Sequence, residues 1–178
     1  MKRTLWTLLA VLLCTGSLKA QEMPTQKEIL KTMLLVNDYF MKKWPDPATP
    51  TFVKRERPSN LWTRAVYYEG LMALHEIYPR EDFYKYAYDW GSAHKWGMRN
   101  GNHCCGQTYI DLYRICPDPV MLKNVKVSID AMVNTPQVDD WWWIDAIQMA
   151  MPLFAKFGNL YNDTKYYDKM WDLYEYTR

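Results

Sequence analysis

Residues 139–152 read Asp-Asp-Trp-Trp-Trp-Ile-Asp-Ala-Ile-Gln-Met-Ala-Met-Pro, a block that sets acids among indoles. Neighbours on a helix point about 100° apart. Three consecutive tryptophans therefore cannot all enter one core, and at least one must face a cavity or solvent. Asp145 follows inside the same expected helix, among Trp143, Ile144, Ala146 and Ile147. A carboxylate enclosed by apolar neighbours has its charged form disfavoured, which keeps a general acid protonated near neutral pH. Indole faces beside such an acid suit a sugar ring, whose C–H face packs on the indole while its hydroxyls take hydrogen bonds. The plainer reading is a buried aromatic helix whose acid caps or pairs locally.

Two further clusters carry polar chemistry. Arg99 to Tyr109 reads Arg-Asn-Gly-Asn-His-Cys-Cys-Gly-Gln-Thr-Tyr. It is expected on a loop and the first turn of a helix, where backbone donors can face a ligand. Asn102 and His103 add neutral hydrogen-bonding groups there; a capping loop with Asn102 as N-cap is the competing reading. Tyr67-Tyr68-Glu69-Gly70 is the other cluster, with one tyrosine expected in the core and its neighbour on a cavity. Glu69 is an alternative carboxylate, although a polar helix face explains it as well. Trp90 and Trp96 are expected in the core, and Met149 and Met151 as core filler.

These residues need helices to position them. Apolar residues recur near helical spacing in Gln26–Lys43, at Ile29, Met33, Leu34, Val36 and Phe40, and Trp44-Pro45 ends the run. A proline-rich connection, residues 46–58, follows. Further helices are expected over Leu61–Tyr78 (core Val66, Leu71, Leu74, Ile77), Asp82–Lys95, Gly106–Ile115 and Val120–Val133. Asp139 or Asp140 would cap the aromatic helix, which runs to about Phe157, and Asp163–Tyr176 is the last. No stretch has strand periodicity. The expected fold class is therefore all-α, either an open α-solenoid or a toroid of helical hairpins. Aromatic and acidic residues at several turns favour a toroid with a pocket at one rim.

Lys2 and Arg3 precede the apolar run Leu5–Cys14 and the small and polar residues that end at Ala20. That is the pattern of a secretory signal peptide, too short for a stable bilayer span. Cleavage after Ala20 and export to the periplasm, or beyond, are expected. Lipoprotein processing at Cys14 is disfavoured by the bulk of Leu13. The domain is then residues 21–178. Cys104, Cys105 and Cys116 fit neither a disulfide framework nor a zinc spacing, and buried free thiols are the better reading. The formal net charge is +2, with acids and bases interspersed. No basic stripe points to nucleic acid. The chain holds 9 Trp and 14 Tyr against 5 Phe, a bias towards rings with a polar tip, as at wet binding surfaces.

The order Trp62-Thr63-Arg64-Ala65-Val66-Tyr67-Tyr68-Glu69-Gly70-Leu71-Met72, then Asn-His-Cys-Cys-Gly-Gln-Thr-Tyr, then Trp-Trp-Trp-Ile-Asp-Ala-Ile-Gln-Met-Ala resembles the unsaturated rhamnogalacturonyl hydrolases. These are glycoside hydrolase family 105, related to the unsaturated glucuronyl hydrolases of family 88. The resemblance runs from about Glu28 to the last residue. It implies an (α/α)6 barrel that takes an oligosaccharide ending in 4,5-unsaturated galacturonic acid, left by pectin lyases, and hydrates the vinyl-ether double bond. No metal or other cofactor is implied. Asp145 matches the family's general acid/base and Trp143 its neighbouring sugar-stacking residue. Trp62, Tyr67, Tyr68 and His103 are the further substrate-binding residues expected.

Two departures accompany the resemblance. Asn102, the second catalytic residue expected, stands where the family often has an aspartate that assists catalysis or sugar binding, keeping hydrogen bonding but losing charge and basicity. The family's later Trp-x-Arg-Gly-Asn-Gly-Trp block has no counterpart here, so about half of the toroid is expected. Beside the hydrolase stand two other readings: a truncated or inactive carbohydrate-binding relic, and a helical interaction module that takes a protein partner.

Overall fold

The structure is a computed structural model that describes residues 23–98 and 103–178. The expected signal peptide and Asn102 lie outside these residues. The chain divides into two compact units, residues 1–36 and residues 37–178. In the first unit the described residues open helix α1 (Gln26–Lys43). Its start is written in Thr25-x-x-Glu28. The Glu28 carboxylate accepts from the Thr25 backbone N–H at 2.8 Å, and the Thr25 hydroxyl accepts from the Glu28 N–H at 3.3 Å. This reciprocal pair satisfies two donors that a helix start leaves open. Ile29 and Val36, two of its periodic apolar residues, are exposed. Among the described residues their own unit offers no second element to bury them.

Among its described residues the second unit holds the end of α1, a β-hairpin and six further α-helices. Strands β1 (Thr51–Val53) and β2 (Arg55–Arg57) pair antiparallel, with Phe52 opposite Glu56. Lys54 makes the corner at φ 60°. The sequence reading expects only a connection here, because three-residue strands are too short to display a period of two. The helices are α2 (Trp62–Ile77), α3 (Glu81–Ala93), α4 (Cys104–Ile115), α5 (Val120–Val133), α6 (Asp145–Tyr161) and α7 (Lys165–Thr177). Alternate helices pack side by side: α2 on α4, and α4 on α6. Helix α3 backs α2 and α4, α5 backs α4, and α7 backs α6. The expected all-α class holds.

The core is an aromatic ladder between these layers. Tyr68 of α2 stacks on Trp90 of α3 with centroids 3.9 Å apart, and Trp90 and Trp96 both meet Tyr109 of α4. Trp90 and Trp96 are buried, as their sequence context suggests. Leu71 and Leu74 are buried too, whereas Ile77 ends α2 exposed. Cys104 and Cys105 are buried free thiols, and Cys116, at the end of α4, is exposed.

The aromatic block departs furthest from expectation. Asp139–Trp141 form a short 3-10 turn, and α6 begins only at Asp145. Asp139 and Asp140 therefore do not cap α6. Trp141 turns inward at 0% exposure, while Trp142 and Trp143 are 70% and 40% exposed. Breaking the helix at residues 142–144 lets one indole fill the core and two leave it. Helix α7 holds this loop from behind. Lys169, itself buried, donates from Nζ to the carbonyls of Thr135 and Gln137, and the Thr177 hydroxyl donates to the carbonyl of Trp141 at 2.6 Å.

Candidate functional site

A groove of about 750 Å³ opens where the N-terminal ends of α2, α4 and α6 meet the loop after α5. Trp62 stands at the start of α2, His103 immediately before α4, and Trp142 and Trp143 just before α6. All four line the groove. Because the three helices lie side by side, their starts converge, and residues some 40 positions apart share one wall. The two outward indoles have centroids 3.8 Å apart and planes tilted by 48°. They form an apolar corner open to solvent.

The structure gathers Trp62, His103 and Trp143, three of the residues singled out by sequence. Asp145 is adjacent in the chain as the first residue of α6, but it is exposed and does not line the groove. The expected apolar enclosure of Asp145 is corrected. Of its neighbours Trp143 and Ile144 point to solvent and only Ala146 is buried, because the helix starts at Asp145 itself.

Tyr67 and Tyr68 are not brought to the groove. Tyr67 stacks on Phe40 at 3.3 Å and donates to Asn37 Oδ1 at 2.6 Å. Tyr68 is fully buried and donates to the carbonyl of Pro47 at 3.2 Å. Burial pushes both phenols well above their ordinary range. They serve the ladder and the loop before β1, because both lie on the face of α2 turned towards α1 and α3.

Burial sets the protonation of the groove. It lowers His103 to about 4, so the imidazole is neutral at pH 7 and can offer one donor and one acceptor. Asp140 is raised by burial; the Lys169 ammonium lowers it, and the charge on Asp139 raises it again. Asp139 and Asp140 both line the groove. Sequence reasoning assigned them to capping and so missed them. The available signal was that two acids precede the outward-facing indoles.

A second cleft, of about 450 Å³, lies between α2, α4 and α6 further along their axes. Glu69 lines it and accepts from Gln107 Nε2 at 3.2 Å and Gln148 Nε2 at 2.8 Å. Burial raises Glu69 to about 7, although the Gln148 amide and the Lys156 ammonium act in the opposite direction and Asp111 adds to the rise. Asp111 and Lys156 form an ion pair at 2.7 Å in the same cleft. Glu69 is thus the alternative carboxylate that sequence offered, in a cleft distinct from the indole groove. Among the described residues no group of three or more His, Cys, Asp or Glu side chains could hold a metal ion, and no helix is long and apolar enough to cross a membrane.

The profile of Glycosyl Hydrolase Family 88 matches residues 32–178. Solved structures resemble the chain, two of them as follows. A polysaccharide lyase is 23% identical, with a TM-score of 0.74 over 84% of this chain and 46% of its own. A glycosyl hydrolase family 88 protein from Bacteroides vulgatus is 24% identical, with a TM-score of 0.73 over 85% of this chain and 47% of its own. At these identities the likeness concerns the fold, and the chain spans about half the length of either structure. No curated protein matches the sequence.

Proposed function

The chain belongs to glycosyl hydrolase family 88, and from that premise we propose that it releases 4,5-unsaturated galacturonic acid from the non-reducing end of rhamnogalacturonan oligosaccharides, in the manner of the family 105 unsaturated rhamnogalacturonyl hydrolases. The carrying observation is the indole corner of Trp142 and Trp143 at the start of α6, with Trp62 and His103 lining the same groove and Asp145 adjacent in the chain.

The reaction is a hydration. A carboxylic acid at Asp145 delivers a proton to C4 of the vinyl ether, and water adds at C5. The resulting hemiketal opens at its C5–O5 bond to a C5 ketone and a hemiacetal at C1, and collapse of that hemiacetal to an aldehyde breaks the C1–O bond to the neighbouring sugar, which leaves as an alcohol. The acid regains its proton from the added water. Trp143 stacks on the ring undergoing reaction, and the neutral imidazole of His103 offers a hydroxyl partner. The composition of residues 1–20 supports a protein exported to the periplasm.

The test follows the ultraviolet absorbance of the unsaturated uronate, which disappears as the double bond is consumed. Asp145→Asn is expected to slow that loss by about 10²–10⁴-fold, the usual contribution of a positioned acid, with the circular dichroism unchanged. Full activity in this variant would remove Asp145 from the mechanism. A second reading, carbohydrate binding without turnover, is favoured by the exposure of Asp145. It is the correct one if oligosaccharide binds while the absorbance stays constant.

A further inference from the structure

The substrate proposed above is acidic, and the indole groove has few charges to meet it. Among the described residues that line the groove none is Lys or Arg, His103 is neutral, and Asp139 and Asp140 are acids. The hairpin that leads into the groove holds the opposite charge. Lys54, Arg55 and Arg57 stand there against one acid, Glu56. None of the three cations has an ion pair among the described residues, and the Nε–H of Arg57 is buried without an acceptor. A buried N–H left unmade is unfavourable, and a guanidinium gains most from a carboxylate brought to it.

The register of the strands sorts these residues onto two faces. Partners across an antiparallel pair project on the same side, as do residues two apart along a strand. Val53, Arg55 and Arg57 therefore share one face, whereas Phe52 and Glu56 share the other. Along β2 the two arginines stand about 7 Å apart. The base of the hairpin is fixed to α2. Arg64, in the first turn of that helix and itself buried, donates from Nη1 to the carbonyl of Thr49 and to Thr51 Oγ1. From Arg57 the chain passes through Pro58 and the buried Ser59 and Asn60 to Leu61 and Trp62, which line the groove. Five residues of chain reach at most about 17 Å, so the arginine pair borders the groove without belonging to it.

We propose that the Arg55–Arg57 face of the hairpin binds the continuing acidic chain of a polysaccharide whose end lies in the groove. Carboxylates of successive uronate residues take paired N–H bonds from the two guanidinium groups, and Lys54 adds charge at the corner. Val53, 50% exposed, offers an apolar contact to the sugar ring between them. A lipid surface answers the same charges less well. Phe52, 76% exposed, projects on the face opposite the arginines, and a flat bilayer that meets the hairpin tip leaves Arg57 at the base out of reach. A chain that runs along β2 passes both arginines on its way to Trp62. The hairpin site presupposes the uronate reading of the groove and lies outside that groove.

Fluorescence polarisation of a long, saturated, fluorescein-labelled oligogalacturonate, titrated with the full chain, tests this. Saturable binding that weakens steeply with added salt is expected. Arg55→Gln/Arg57→Gln is expected to lose about tenfold in affinity. Because Arg57 is half-buried, Lys54→Gln/Arg55→Gln, which alters exposed side chains alone, serves as the second variant and is expected to lose about fivefold. Methyl galacturonoside is too short to reach from the groove to the hairpin. Its binding, read by the intrinsic fluorescence of the Trp142–Trp143 corner, is expected to be the same in the variants as in the unaltered chain. No saturable oligogalacturonate binding, unchanged affinity in both variants, an equal loss for the monosaccharide, or equal binding of a neutral galactan oligomer would each overturn the hairpin site. So would co-sedimentation with phosphatidylglycerol vesicles that oligogalacturonate fails to compete away. The double-bond absorbance is read separately on a short unsaturated disaccharide. A chain that leaves this disaccharide intact but holds the oligogalacturonate through its arginines loses the hydrolase reading and keeps the hairpin site. A chain that consumes the disaccharide while all variants bind the long chain equally loses the hairpin site alone.

Discussion

Gln107 Nε2 lies 3.1 Å from the carbonyl oxygen of Gln148, the carbonyl that Pro152 leaves without its helical partner. Proline has no N–H, so the bond from residue 152 back to residue 148 cannot form within α6. The buried amide of Gln107, reaching across from α4, supplies the missing donor and also approaches the carbonyl of Met149 at 3.0 Å and Glu69 Oε1 at 3.2 Å. One side chain thus joins α2, α4 and α6 below the groove, at the place where a proline would otherwise leave a helix open.

Gln107→Ala is expected to destabilise the chain by about 1–3 kcal/mol, the cost of leaving buried acceptors unmade. In a Pro152→Ala background the helix closes its own bond to Gln148. The penalty for Gln107→Ala should then shrink by about 1 kcal/mol. Chemical denaturation of the four proteins of this cycle gives the coupling. Equal penalties in both backgrounds would mean that the amide does not act through the proline gap.

Glu69 makes stability depend on pH in an unusual direction for a carboxylate. Its value is raised from 4.5 to about 7 by burial, so between these values the folded chain holds a proton that the unfolded chain has released. Stability therefore falls as pH rises from about 5 through 7. Glu69→Gln should flatten this slope while retaining hydrogen bonding in the cleft. Denaturation midpoints across that range provide the measurement, and a slope that persists in the variant would assign it to another group.

The three tryptophans should separate cleanly by role. Trp142→Ala and Trp143→Ala remove exposed rings and are expected to change stability by no more than about 0.5 kcal/mol while abolishing the fluorescence response to sugar. Trp141→Ala empties a core position and should cost about 3–5 kcal/mol. Thermal melts run beside the sugar titrations distinguish the two effects.

Lys169 holds the acid-bearing loop by bonding the carbonyls of Thr135 and Gln137 from beneath. Lys169→Met keeps much of the buried stem and removes the charged donor. It should cost about 1–3 kcal/mol and speed hydrogen exchange over residues 135–141 more than in α2 or α4. Uniform protection in the variant would show that the loop holds its place without the ammonium.

What the sequence determined by itself is the helical succession and the identity of its most informative block. Apolar spacing together with the flanking stop signals Trp44-Pro45, Pro117, Pro119 and Asn134-Thr135-Pro136 locates Gln26–Lys43 and Val120–Val133, because the period of 3.6 is visible over a dozen positions and proline ends a helix. It also required at least one of three adjacent indoles to leave the core, a consequence of helical geometry that survives even though the residues form a loop. Tertiary structure alone decided which indole went inward, because that choice depends on a broken helix and on the grip of α7 on residues 135–141. It turned Tyr67 and Tyr68 into the aromatic ladder, set Asp145 in solvent at the start of α6, and moved Asp139 and Asp140 from capping to the groove wall. Each of these depends on which helix ends lie side by side, and contacts between residues some 40 positions apart leave no local pattern to read. The same holds for Gln107: its sequence position says nothing of Pro152, yet packing α4 against α6 makes the amide of one the missing bond of the other.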